Sequence, residues 1–413
     1  MNTELINAPS LDFDRRTPGL RSAAIPSSMK LLLRLLQKLQ FGTLWLGLPD
    51  GAVLQFGHGT PAVGLNLRNW KLAAAVLKSG DIGFAETYIN GDWDSDDLPA
   101  LMELLSRNRA TVEKLIYGSW WGGLLYRLRH LAHRNTRSRS RKNIHAHYDI
   151  GNDFYQLWLD PSMTYSSGWW ADQQELSLEQ AQASKYRRVL EQLQVAPGAK
   201  LLEIGCGWGG FAEFAASHAT AHVTGLTLST EQLQFARQRM AAAGLAANAE
   251  LRLQDYRDVH GGFDGIASIE MFEAVGEAYW PSYFECIVRN LKSGGRACIQ
   301  SIVIDDALFA RYRKGTDFIQ QYIFPGGMLP SPSAFRQQAR QHGLQVVDEL
   351  AFGAGYGRSL ALWRAAFHAR LAEIRALGFD QRFLRIWDFY LAYCEAGFRA
   401  GSVDVMQFTL LKP

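Results

Sequence analysis

The chain has 413 residues, enough for two or three domains rather than one small module. Apolar residues at 47% and charged residues at 20% are ordinary for a globular protein and exclude a disordered or fibrous chain. A formal net charge of +3 argues against bulk coating of nucleic acid. Four scattered cysteines, Cys206, Cys286, Cys298 and Cys394, lack any CxxC or CxH spacing and so indicate neither a disulfide scaffold nor a metal site.

Residues 1–26 are polar and proline-bearing and are expected to form a flexible tail, with acidic residues where a secretory leader needs a basic start. No apolar run reaches the length of a bilayer span, so the expected location is cytoplasmic. Residues 29–40 have the spacing of an amphipathic helix. Alternating segments at 42–48 and 52–56 and helical stretches at 70–78 and 97–107 complete a small α+β module over residues 27–125, with docking or oligomerisation as its expected role. Residues 126–142 form a strongly basic linker without an acidic residue, either a solvated connector or a surface for anionic lipid headgroups. No recognised nucleic-acid module accompanies it.

Over residues 143–413, strands are expected at 200–204, 221–226, 249–253, 263–269, 296–304 and 403–411. Helices at 209–217 and 230–243 separate the first three, and the second opens with Ser229 and Gln232 at capping-box spacing. This alternation predicts an α/β fold with a doubly wound, mainly parallel sheet, whose ligands sit at the carboxyl ends of the strands.

The first strand end reads Glu203-Ile204-Gly205-Cys206-Gly207-Trp208-Gly209. Glycines at this spacing allow a tight turn and a close backbone approach to a ligand, and the acidic residue before the first glycine resembles the loop of class I methyltransferases that bind S-adenosylmethionine (SAM). That likeness implies a Rossmann-like fold, with Glu203 as charge partner of the loop backbone or of the SAM amino group and Gly205, Gly207 and Gly209 along the methionine moiety. The second strand end, Thr227-Leu228-Ser229 with Gln232, has no carboxylate for ribose hydroxyls, which leaves Thr227 and Gln232 to hold them. At the third, Gln254-Asp255-Tyr256, Asp255 or a neighbour is expected to meet the adenine amino group, while Arg257 and Asp258 form a surface pair. Cys206 and Cys394 are expected to pack as structural thiols, and His145 and His147 as structural histidines.

Further pieces extend the likeness: His147 to Tyr155, Leu159 to Ser167, Met271-Phe272-Glu273, Tyr322 to Gly327, and Phe352 to Tyr356. In this order the chain resembles the cyclopropane-fatty-acyl-phospholipid synthases and mycolic acid cyclopropane synthases. The resemblance implies methyl transfer from SAM to the cis double bond of a phospholipid acyl chain at a membrane surface, by a homodimer on the inner face of the membrane. Tyr148, Tyr165, Ser166 and Trp208 join the SAM-binding residues on this basis. An alkene is a poor nucleophile and leaves a carbocation on methylation, which gives a purpose to an aromatic cluster that excludes water.

The family assigns removal of the final proton to a bicarbonate held by a Cys, a Glu, a His and a Tyr. This chain has Glu273 and Tyr356 but carries Ser167 at the Cys position, Gln300 at the His position and Ala274 where a His commonly follows the Glu. Either the altered donors still hold bicarbonate, or Glu273 or Glu270 supplies the base and the product is a methyl- or methylene-branched chain or a furan precursor. N-methylation of a small amine and non-catalytic lipid binding are further readings.

Overall fold

The computed structural model of the protein describes residues 25–109 and 150–413, apart from 172 and 174. They form two compact units that do not follow one cut in the chain. The first takes the described residues up to 109 together with 315–322 and 379–400, and the second takes the rest. The basic segment 126–142 lies outside the described residues.

The first unit is built on a four-stranded sheet of β1 (Gly42–Gly47), β2 (Val53–His58), β3 (Ala62–Leu67) and β4 (Trp93–Ser95), in the order β2-β1-β3-β4. β1 and β2 form an antiparallel hairpin in which Leu44 faces Phe56 and Leu46 faces Leu54, while β1 and β3 run parallel. The helix Ser27–Leu36 buries Met29, Leu32, Leu33 and Leu36, the stripe expected of an amphipathic helix. The helix expected at 70–78 continues to Ile89, because Gly80 adopts φ 60° and ψ −132° and kinks the chain there instead of ending it. The helix Leu98–Arg107 starts on Asp97, whose side chain accepts from the Ala100 N–H.

Within the segment 143–413, the helix Gln381–Arg399 groups with the first unit. Arg385 donates to the Tyr88 carbonyl (2.6 Å) and the Trp93 carbonyl (3.0 Å), and the Tyr88 hydroxyl donates to Asp388 (2.5 Å). Half-buried charge-assisted bonds of this kind hold the helix in one register.

The second unit contains a seven-stranded sheet of β5 (Lys200–Ile204), β6 (His222–Thr227), β7 (Ala249–Leu253), β8 (Phe263–Ile269), β9 (Leu291–Ile304), β10 (Gln345–Ala351) and β11 (Val403–Leu411). Their order is β10-β11-β9-β8-β5-β6-β7. β5 to β9 are parallel, and β11 and β10 add antiparallel to the β9 edge. The expected doubly wound α/β sheet is therefore present, and its parallel core carries the buried runs Leu201, Leu202, Ile204, Ile266 and Ile299. The carboxyl ends of β5, β6, β7 and β8 lie side by side along it.

Candidate active site

Behind β5 the chain turns on three glycines with positive φ, Gly205 (86°), Gly207 (49°) and Gly209 (83°). A Cβ on Gly205 would lie 2.8 Å from Met271 Cγ, so the loop can pass the β8 end only without a side chain there. The Gly205 and Cys206 amides both donate to the Leu226 carbonyl (3.0 and 2.8 Å), and Arg239 donates to the Trp208 carbonyl (3.0 Å) and the Ser162 carbonyl (2.8 Å). The loop is thus fixed from two sides. Cys206 packs beneath it, its Sγ 3.3 Å from where a Gly225 Cβ would stand.

Glu203 precedes this loop in the strand and is buried, yet its Oε2 has no hydrogen-bond partner. Burial pushes its carboxyl up to about 8. No Cβ-sized obstacle lies within 4 Å of Gly207. A buried carboxylate with a bare oxygen beside an open glycine turn fits a ligand that carries a cationic amino group, as SAM does.

At the β6 end, Thr227 Oγ1 donates to Gln232 Oε1 (3.0 Å) and accepts from the Ser229 N–H (3.1 Å). This uses the Gln232 side chain that a capping box would need. Only the forward half of the box remains, the Gln232 N–H donating to Ser229 Oγ (3.2 Å), while Ser177 and Gln180 make a complete one elsewhere. Leu228 is half-buried beside them. At the β7 end, the Gln254 N–H donates to the Thr227 carbonyl (3.1 Å) and Tyr256 meets Tyr283 edge-on at 5.6 Å. The Arg257 guanidinium, expected to pair with Asp258 at the surface, is turned to Asp255. It clamps both oxygens of Asp255 (2.8 and 2.5 Å), a fork that the shorter spacing to Asp258 does not offer.

The third grouping centres on Glu270, at φ 51° just past β8. Its Oε1 accepts from the Ser167 N–H (2.8 Å) and from Gln300 Nε2 (2.7 Å), and its Oε2 accepts from the Tyr356 hydroxyl (2.5 Å). Three of the four residues singled out as catalytic therefore meet on a carboxylate ranked second in the sequence. The Ser167 hydroxyl itself turns to the Gly168 carbonyl (2.9 Å), leaving its peptide as the donor. Glu273 stands apart. Its Oε1 accepts from the Ile302 N–H, its Oε2 has no partner, and burial, followed by the charge of Glu270, pushes it up to about 8.

Lys185 and Gln182 had no place in the sequence reading. Lys185 is fully buried on the helix Leu178–Leu193, donating to Ser166 Oγ (2.5 Å) and Gln182 Oε1 (2.6 Å), while Gln182 Nε2 donates to the Ser166 carbonyl (2.8 Å). Burial pulls the Lys185 ammonium down, and the charges of Glu270 and Asp160 oppose this. Glu270 in turn is raised by burial and lowered by Lys185. A signal existed in the sequence: Ala181, Lys185, Val189 and Leu193 recur every four residues, so the lysine sits in a core stripe.

Aromatic rings connect the groupings. Trp208 lies 5.1 Å from Tyr155, which lies 5.5 Å from Tyr165. Tyr165 lies 5.5 Å from Trp363, and Trp363 meets Tyr356 edge-on at 6.1 Å. A wall of rings therefore runs from the glycine loop to the hydroxyl that holds Glu270. Tyr148 lies outside the described residues, as do His145 and His147.

The family model for mycolic acid cyclopropane synthetase matches residues 135–408. The chain is 40% identical over 350 residues to tuberculostearic acid methyltransferase UfaA1 of Mycobacterium tuberculosis, covering 83% of this chain and 81% of the relative. It is 34% identical over 355 residues to cyclopropane-fatty-acyl-phospholipid synthase of Escherichia coli, covering 85% and 88%. Among solved structures, mycolic acid cyclopropane synthase CmaA1 complexed with SAH and CTAB superposes with a TM-score of 0.62 at 32% identity, covering 65% of this chain and 97% of that one. The chain belongs to the mycolic acid cyclopropane synthetase family and is a SAM-dependent methyltransferase of the cyclopropane synthase type.

Proposed function

We propose that the protein transfers the methyl group of SAM to the cis double bond of unsaturated phospholipid acyl chains and closes a cyclopropane ring. The observation that carries this reading is the ring wall from Trp208 to Tyr356, which ends on a held carboxylate. Ring faces stabilise a carbocation without reacting with it, and a carboxylate at the end of the wall can take the proton that resolves it.

SAM supplies an electrophilic methyl when bound. On this reading Glu203, with its bare oxygen, takes the amino group, Gly205, Gly207 and Gly209 admit the methionine backbone, and Ser166, Tyr165 and Trp208 flank it. Thr227, Leu228 and Gln232 take the ribose, and Gln254, Asp255 and Tyr256 the adenine. Ser167, Gln300 and Tyr356 act as donors to Glu270, while Glu273, held by the Ile302 N–H, contributes only its charge nearby.

A second reading, supported by a carboxylate already seated among those donors and by the likeness to a tuberculostearic acid methyltransferase, is loss of a proton from a neighbouring chain carbon. That leaves a methyl-branched alkene, whereas a 1,2-hydride shift followed by loss of a proton from the transferred methyl leaves a methylene branch. Both readings take a phospholipid surface as partner, with the basic segment 126–142 attracting anionic headgroups and the protein acting as a homodimer on the inner face of the membrane. Incubation with methyl-deuterated SAM and vesicles of cis-monounsaturated phospholipid tests them. Release of S-adenosylhomocysteine with a product that resists hydrogenation and keeps two deuterons means a ring. A product that takes up hydrogen means a branch, a methyl-branched alkene keeping three deuterons and a methylene branch two, and no turnover on any unsaturated lipid sinks both readings.

A further inference from the structure

We infer that Glu270 is the general base of this site, a carboxylate built into the chain that removes the final proton without a free anion. The inference rests on the lipid C-methylation reading above and deepens it by naming the group that resolves the cation.

Both oxygens of Glu270 are engaged by donors: Ser167 N–H and Gln300 Nε2 on one, the Tyr356 hydroxyl on the other. Burial raises the Glu270 carboxyl above the usual carboxylate range, as suits a base that must take a proton, while the Lys185 charge and the donors on each oxygen hold the ionised form against that shift. The Gln300 amide is itself oriented. Arg188 donates to Gln407 Oε1 (3.2 Å), Gln407 Nε2 donates to Gln300 Oε1 (2.9 Å), and Gln300 Nε2 donates to Glu270 (2.7 Å). Gln300 and Gln407 are cross-strand partners in β9 and β11, so the chain of amides is rigid. Its positive end is a guanidinium and its negative end is Glu270, and both ends favour the same orientation of every amide.

The backbone gives a second, independent sign. Glu270 holds φ 51°, a region costly for a side chain of this size and tolerated where the surroundings fix it. Ser167, Gln300 and Tyr356 are buried, while Glu270 keeps partial exposure, as a group that must meet a ligand does. Glu273 does not fit the role. With one oxygen on the Ile302 N–H and the other without a partner, it lacks the set of donors that holds Glu270.

In the step assigned to Glu270, the C–H bond of the transferred methyl breaks. Its electron pair closes the third carbon–carbon bond of the ring, and the proton ends on a Glu270 oxygen, so a cation and a carboxylate give a neutral lipid and a carboxylic acid. Loss from a neighbouring carbon uses the same base, with the pair forming a double bond.

Glu270→Gly is the test, because glycine relaxes φ 51° and leaves a cavity lined by three donors. The full-length variant should bind ¹³C-labelled formate or bicarbonate, seen by NMR line broadening and a rise in melting temperature, where the wild type shows neither. Its turnover on monounsaturated vesicles should fall by about 10²–10⁴-fold and recover at least tenfold with formate or bicarbonate. Glu270→Gln, which keeps the cavity filled, should lose turnover without rescue. Wild-type turnover should be unchanged when bicarbonate is stripped from the buffer. Wild-type turnover that requires bicarbonate, a Gln variant that stays active, or a Gly variant that binds neither anion overturns the inference. Absence of wild-type turnover would refute the lipid reading instead, while the anion-binding arm still decides whether the pocket is built as described.

Discussion

The ends of the neighbouring parallel strands β5 and β8 each present an acid, Glu203 buried and Glu270 half-buried, and the two are treated in opposite ways. Glu203 is left with a bare oxygen, and burial alone pushes it up to about 8. Glu270 is surrounded by the Ser167, Gln300 and Tyr356 donors, with the Lys185 charge nearby. The first arrangement costs the protein stability until a cation arrives. The second is complete within the chain. On the proposed reading one site is filled by a ligand and the other acts on one, and the difference lies in the donors rather than in the acids.

The largest effect that sharpens this contrast is expected at Lys185. Lys185→Met removes the charge that offsets Glu270 and strands Ser166 and Gln182, so it should cost about 3–5 kcal/mol in urea unfolding. Adding Glu270→Gln should recover part of that loss through the coupling of the pair. Additive losses would mean that the two acids differ for some other reason.

Next comes Glu203→Gln, with the opposite sign. A carboxyl raised from 4.5 to about 8 keeps its proton in the folded state, so its contribution to stability is full below pH 4.5 and is lost as pH rises through about 8. The Gln variant should therefore melt like the wild type at pH 4 and progressively above it from pH 6 to pH 8.5. It should also bind SAM about tenfold to a hundredfold more weakly at pH 8, by calorimetry, and lose the gain in affinity that the wild type shows from pH 6 to 8 as binding expels the proton. Unchanged affinity would remove Glu203 from the ligand-filled class.

The contrast also explains what could be read from the sequence. The glycine loop lies within seven consecutive residues, and β5, β7, β8 and β11 are short apolar-rich segments of strand length, so both were legible from local pattern. β10 was not, because its residues are half-exposed and carry no alternation. Neither was the membership of Gln381–Arg399 in the first unit, since periodicity tells which face of a helix is buried but not against what. Glu270 gathers donors 30, 86 and 103 residues away in sequence, and only the sheet and the helix Gly353–Ala369 bring them together. A choice between Glu270 and Glu273 could not be made without that register.

The smallest expected effect probes the amide chain behind Glu270. Gln407→Leu leaves Arg188 its Asp348 partner but takes the donor from Gln300 Oε1, which should cost about 1–2 kcal/mol for the buried acceptor left unpaired. The informative readout is the pH profile of turnover. Once freed, the Gln300 amide can rotate and set its oxygen against Glu270, which disfavours the carboxylate and raises its pKa. A base works only when ionised, so the acid limb of the profile should move to higher pH, while the alkaline limb stays in place. A variant that loses stability with an unmoved acid limb would make Gln407 a packing residue, and the donors on Glu270 would then need no orientation from beyond Gln300.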